Sequence, residues 1–191
     1  MACKDTQSDC WRGLRYGAKP IANLVNKLCP VTGPKARCTY VEPFCGHAHV
    51  MGRLRPPPGK AVCGDVKAFV FPWIRNHHKT MVKESQPKFL HQDWKKTMRQ
   101  YDSPNTVFVL DPPWERTCTP AAHSIGWACQ KNEIGGLIDD VIETTKHIKG
   151  KAIITLDKSD RKRLCKAFPC RTIVHKHGHG GTYRYLIGVK K

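Results

Sequence analysis

A carboxylate followed by two prolines and a tryptophan, Asp111-Pro112-Pro113-Trp114, is the stretch of this chain whose residue types come nearest to a chemical task. It follows Thr106-Val107-Phe108-Val109-Leu110, the clearest buried-strand pattern in the sequence. It therefore falls just beyond a strand's carboxyl end, where open α/β sheets bind ligands. The exocyclic amine of a base such as adenine is a poor nucleophile, because its lone pair is delocalised into the ring. A carboxylate and a backbone carbonyl that accept its two N–H bonds draw the nitrogen toward a tetrahedral amine and free that pair. Asp111 supplies the first acceptor and the carbonyl of Pro112 the second. Pro112 and Pro113 hold φ fixed, so the carbonyl stays aimed without further ordering cost. Trp114 offers a flat face for stacking an extruded base. The competing reading is an ordinary strand-ending turn, for which Asp and Pro are common residues.

These residues need a sheet to hold them. Ile21, Leu24, Val25 and Leu28 have amphipathic helical spacing, ended by Pro30. Cys38 to Glu42 is short and β-prone, and breaks at Pro43 into Phe44-Cys45-Gly46. An apolar segment with Val50, Met51 and Leu54 follows, the outline of a nucleotide-binding strand-loop-helix unit. Ala61-Val62-Cys63 is a short strand ending at Gly64-Asp65, and residues 66–100 read as mostly helical with a break near Ser85-Gln86-Pro87. Ile134 to Ile148 predicts a helix, Ala152 to Leu156 a buried strand, and Arg161 to Phe168 a short helix. Thr172-Ile173-Val174 and Tyr183 to Val189 predict a hairpin around a basic, glycine-rich loop. The alternation implies a single α/β domain over residues 1–191, with a mainly parallel sheet closed by a C-terminal antiparallel hairpin.

Composition narrows the partners. The chain has 191 residues, with 33 Lys and Arg against 15 Asp and Glu, a formal charge of +18. The excess is spread from Lys4 to Lys191, as expected of a folded domain with basic faces that attracts polyanions. There is no apolar run of membrane-spanning length and no signal-peptide pattern at the N-terminus. None of the ten cysteines forms a Cys-x-x-Cys pair. They are read as reduced and packed like small apolar residues, which places the chain in a reducing compartment, the cytoplasm. No metal site is expected. His175-Lys176-His177-Gly178-His179 has alternating imidazoles but no carboxylate or thiol to complete one.

With Tyr40-Val41-Glu42-Pro43-Phe44-Cys45-Gly46 early and Asp111-Pro112-Pro113-Trp114 later, the chain resembles the Dam-type DNA adenine methylase family. That family has a Val-Glu-Pro-Phe-x-Gly-x-Gly loop and an Asp-Pro-Pro-Tyr motif in this order. Tyr16-Gly17-Ala18-Lys19 resembles its N-terminal Gly-Gly-Lys segment, and Gly64-Asp65 its acidic strand end. Asp65 stands 19 residues after Gly46, near the roughly 20 usual for an acid that binds a ribose. The resemblance implies a Rossmann-like class I methyltransferase sheet and S-adenosylmethionine as cofactor. It implies cofactor contacts from Tyr16, Lys19, Glu42, Pro43, Phe44, Cys45, Gly46, Asp65 and Asp93, and methylation of adenine N6 in double-stranded DNA by a monomer. Asp93 reads equally well as the N-cap of a helix starting at Trp94. Ala48 stands at the family's second loop glycine, Ala18 at an N-terminal glycine, and Trp114 at the tyrosine. An alanine at position 48 is strained if the loop needs φ > 0 there.

The family's target-recognition insertion is short here, since only 46 residues separate Asp65 from Asp111. Residues 66–106 are read as a reduced, basic DNA-binding segment including Arg75 and Lys79, with Arg116, Lys176 and His177 as further phosphate contacts. Two alternatives stand beside this reading. One keeps the cofactor and changes the acceptor to RNA or cytosine N4. The other is a basic nucleic-acid-binding protein with an inactive methyltransferase fold.

Overall fold

The computed structural model describes residues 17–113, 131–176 and 182–191. Seven strands form one sheet: β1 (Thr39–Glu42), β2 (Ala61–Asp65), β3 (Lys88–His91), β4 (Thr106–Leu110), β5 (Lys151–Leu156), β6 (Cys170–Lys176) and β7 (Thr182–Lys190), in the order β3-β2-β1-β4-β5-β7-β6. Strands β1 to β5 are parallel, and β7 runs antiparallel to both β5 and β6. The α/β architecture with a closing antiparallel pair is the one the sequence predicts.

Alternate side chains of the central strands enter two separate cores. Tyr40, Cys63, Val107, Val109 and Ile153 point to one face, which is covered by α1 (Ala18–Leu28), α2 (Val70–His77) and α3 (Lys79–Ser85). Val41, Val62, Phe108, Leu110, Ile154 and Leu156 point to the other, under α4 (Trp94–Tyr101), α5 (Lys131–His147) and α6 (Arg161–Ala167). Burial on both faces explains why β4 and β5 are apolar runs rather than alternating ones. Each fully buried Leu, Ile or Phe on them contributes about 1.5–3 kcal/mol. The C-terminal end of α1 is tied to the start of β5, where the Lys151 ammonium donates to the Leu28 carbonyl at 2.7 Å. Since β5 starts there, α1 runs against the strands and its first turn, with Lys19, lies toward their carboxyl ends.

Three expectations are corrected. The segment after the β1 loop makes only a single 3-10 turn, Met51–Arg53, not a helix; Pro56, Pro57 and Pro58 follow too closely for one to continue. Within residues 66–106, Lys88–His91 is an edge strand paired with β2, a four-residue element too short to show a period. The basic segment is thus woven into the sheet. The cysteines are not all reduced: Cys29 is bonded to Cys38 and Cys165 to Cys170, with Cα–Cα distances of 6.0 and 5.2 Å. Each bond closes a turn, one between α1 and β1 and one between α6 and β6. Their separations of 9 and 5 residues match no common pattern in the sequence. The argument for a reducing compartment loses its basis, although Cys45 and Cys63 are buried free thiols as expected. Among the described residues, no helix is long and apolar enough to cross a membrane.

The β4–β5 register depends on a clamp at the opposite edge. The Asp102 carboxylate accepts the Lys149 amide at 2.8 Å and the Gly150 amide at 2.9 Å, so the turn leaving α4 grips the turn entering β5. Asp102→Ala leaves two amides without this partner. It is expected to lower unfolding free energy in urea by about 1.5–3 kcal/mol, the range for hydrogen bonds to a charged group. An unchanged midpoint would show that the clamp is dispensable.

Candidate active site

The strand order reverses between β1 and β4. From β1 the chain builds outward through β2 and β3, and from β4 it builds the other way through β5. Open α/β sheets bind ligands at such a switch point. Glu42 ends β1 there, Asp111 follows β4, and Asp65 ends β2.

The loop after β1 is held from several sides. The Cys45 amide donates to the Gly64 carbonyl at 2.9 Å, and the Gly46 amide to Asp65 Oδ2 at 3.0 Å. Asp65 Oδ1 takes the Lys67 amide at 2.9 Å. Asp65, expected from its spacing to face a ligand ribose, is also in direct contact with the Gly46 amide. Burial raises the Asp65 carboxyl above its ordinary range, opposed by these two amides. Each carboxylate oxygen keeps a further lone pair for a ligand hydroxyl. Gly46 has φ 45° and Ala48 φ 50°, so the loop does need positive φ at both positions where the resemblance expects glycine. For an alanine this costs about 1–2 kcal/mol. Burial of the methyl group, 1% exposed, and the Gly52 amide bond to the Ala48 carbonyl offset it.

Glu42 is 4% exposed and receives the Tyr40 hydroxyl on Oε1 at 2.5 Å. Burial pushes its carboxyl up to about 8; the Tyr40 bond and the nearby Met51 amide oppose this, and the Asp111 charge adds to it. Oε2 is buried without a hydrogen-bond partner among the described residues. Such an unpartnered buried oxygen at the mouth of a glycine loop fits a ligand that supplies the missing hydrogen-bond partner.

Asp111 is half-buried as a residue, with its carboxyl turned inward. Thr155 Oγ1 donates to Asp111 Oδ1 at 2.5 Å and lies 3.3 Å from the Leu110 carbonyl. Leu110 pairs with Ile154, so the β4–β5 register sets Thr155 beside Asp111. Burial pushes Asp111 up to about 7, and the Thr155 bond restrains that rise. The group is thus poised to gain or lose a proton near neutrality.

The other expected site residues fall as follows. Pro43 and Pro112 are buried, Phe44 stacks on Trp94 with ring centroids 5.4 Å apart, and Pro113 is half-buried. Asp93 comes to this edge as the N-cap of α4, accepting the Lys95 and Lys96 amides. Lys19 and Lys79 are exposed, and the Arg75 guanidinium lies 4.5 Å over the Phe89 ring. Lys176 is the last residue of β6. Tyr16, Trp114, Arg116 and His177 lie outside the described residues. Sequence reading missed the role of Tyr40 and of Thr155, the polar residue within Ala152-Ile153-Ile154-Thr155-Leu156. Among the described residues, no group of three or more His, Cys, Asp or Glu side chains is arranged to hold a metal.

Solved structures share this fold. A Pyrococcus horikoshii protein described as an RNA methyltransferase superposes with a TM-score of 0.54 at 10% identity, over 91% of this chain and 80% of that one. Precorrin-6y C5,15-methyltransferase of Geobacter metallireducens gives 0.56 at 10% identity, over 91% and 87%. SMU.472, described as a methyltransferase and solved with SAH, gives 0.59 at 11% identity, over 94% of this chain. The fold is that of Rossmann-like methyltransferases. The chain spans only 55% of SMU.472. No protein-family model matches the sequence, and no curated protein does. At these identities the likeness concerns the fold, and the chemistry has to be argued from the site.

Thr155→Val removes the hydroxyl that favours ionised Asp111. Its carboxyl titration, followed by infrared difference spectroscopy with Asp111→Asn as the assignment control, should move to higher pH than the parent's midpoint near 7. Thr155→Ser should stay near the parent. A midpoint unmoved in Thr155→Val would remove Thr155 from the site.

Proposed function

We propose that this chain is an S-adenosylmethionine-dependent methyltransferase whose acceptor is the exocyclic amine of a nucleobase, adenine N6 in DNA. The observation that carries the reading is Asp111: a carboxyl poised near neutrality at the switch point, followed by two prolines. The motif order with Glu42-Pro43-Phe44-Cys45-Gly46 and the net charge of +18 support it. A cofactor at the β1 loop fits the residues present. Asp65 retains lone pairs for ribose hydroxyls, and Glu42 Oε2 is left with an open hydrogen-bonding position. When bound, the cofactor supplies a methyl group activated on a sulfonium.

The chain's own work is at the amine. Ionised Asp111 accepts one N–H of the base and the Pro112 carbonyl the other, which localises the nitrogen lone pair. As the amine gains its methyl group it becomes cationic, and Asp111 stabilises that charge and takes the released proton. The Thr155 hydroxyl keeps the carboxylate in one rotamer through both stages. Phe44 on Trp94 anchors the β1 loop against α4, so the cofactor side and the amine side keep a fixed separation.

RNA is the second acceptor to be tested, favoured by the fold shared with the Pyrococcus horikoshii protein. Incubation with methyl-labelled cofactor and single-stranded DNA, duplex DNA or RNA, then digestion to nucleosides, separates these outcomes. The expected product is N6-methyldeoxyadenosine, with turnover lowered about 100-fold or more in Asp111→Ala while cofactor binding persists. Label on cytosine N4 or in RNA would correct the acceptor. Asp111→Ala activity within a few-fold of the parent would refute the mechanism.

A further inference from the structure

One group of rings beside the site is used by none of this. His47, in the β1 loop, stacks on Trp73 with centroids 3.8 Å apart and 13° between planes; Trp73 stacks on His77 at 3.9 Å and 9°. The stack runs outward, from buried His47 through half-buried Trp73 to exposed His77. One face of the His77 ring is spent on Trp73, so the face left to solvent is flat and aligned. Hydrogen bonds fix the arrangement. A carbonyl can only accept, so His77 donates Nδ1–H to the Trp73 carbonyl at 2.9 Å, and His78 donates Nε2–H to the His47 carbonyl at 3.1 Å. His78 in turn packs against the Gly52 backbone, where a Cβ would come within 2.6 Å of its ring.

The surroundings are cationic. Arg53 and Arg55 are exposed and near enough to His78 that, with His77, their charges disfavour its protonation beyond the effect of burial. Lys79 follows at the start of α3. Between Pro43 and Lys83 the only acidic residue is Asp65, and its carboxylate already holds two backbone amides. An aromatic face with several cations near it matches a base followed by its phosphates.

We infer that the His47–Trp73–His77 stack, with Arg53, Arg55 and Lys79, is a binding platform for single-stranded polynucleotide, on which a base stacks against the outer face of His77. The platform takes its class of ligand from the proposed acceptor. It binds beside the cofactor loop and outside the amine pocket, which gives the substrate strand a second hold. A π-face is common to all bases, so the contact contributes affinity with little sequence preference.

The test is fluorescence anisotropy with labelled oligoadenylates of about 12 nucleotides, within the span of known single-strand sites. DNA and RNA forms are titrated separately, without cofactor, so an error about Asp111 leaves the result readable. His77→Ala should weaken binding about tenfold in at least one of the two polymers, as for loss of one stacked base. His77→Phe, which restores a ring but not the hydrogen bond, should recover most of it. A DNA strand lacking its bases should bind the parent and His77→Ala equally. Arg53→Gln and Arg55→Gln together should reduce the salt slope by roughly 0.7 per lost contact. Parent-like affinity in His77→Ala for both polymers would overturn the inference. So would failure of His77→Phe to recover binding while its thermal melting matches the parent's.

Discussion

Burying carboxyl groups is the constraint around which this site is organised. A carboxylate removed from water is costly unless donors meet it, and the usual response is to keep its proton. Glu42 and Asp111 stand at the ends of adjacent central strands, each with one hydroxyl donor, Tyr40 and Thr155. One donor apiece is too little to hold them fully ionised, so both are pushed up, to about 8 and about 7. In a purely structural role this would be wasteful, since an apolar pair would pack there at lower cost. For the proposed reaction, with a cationic cofactor and a released proton, partly satisfied carboxyls are useful. They ionise when positive charge arrives, and Asp111 can accept a proton near neutral pH.

The framework serves that arrangement. Apolar strands buried on both faces fix the positions of β1, β4 and β5, and the Asp102 clamp keeps β4 and β5 in register from the opposite edge. A one-residue slip would turn Thr155 to the other face and leave Asp111 without its donor. The β1 loop is held by Asp65, by the stack of Phe44 on Trp94, and by His47 within the ring stack. The fold itself is common to proteins described as acting on RNA and on precorrin, so it does not decide the acceptor. The features on which the chemistry is argued lie in the loops: the two prolines after Asp111, the alanine at φ 50°, and the basic residues near the ring stack.

Much of the scaffold was legible in the sequence because it rests on local pattern. β4 and β5 are uninterrupted apolar runs, and α1 carries its buried stripe at three-and-four spacing. The sequence spacing singled out Asp65 as an acid at the end of β2, and the structure adds its bond to the Gly46 amide. The 3-10 turn at Met51–Arg53 was not legible, since the apolar spacing of Val50, Met51 and Leu54 suits a helix that three prolines just downstream cut short. β3 escaped because four residues at an edge show no period and take their structure from pairing with β2. The Thr155–Asp111 bond and the His47–Trp73 stack join residues far apart in sequence, and the disulfides follow no common cysteine spacing. They depend on tertiary register, which composition does not encode. Ala48 lies between these cases. Its strain was foreseeable only on the condition of positive φ, and the backbone meets that condition.

The most direct measurement of the central claim is the single-turnover rate of methyl transfer as a function of pH, with saturating cofactor and nucleic acid. If Asp111 must be ionised to accept the amine's N–H, the rate should rise nearly tenfold per pH unit below about 7 and level off above it, following the fraction of carboxylate. A rate that stays flat from about pH 5.5 to 8.5 would contradict an acting Asp111 carboxylate that titrates near neutrality.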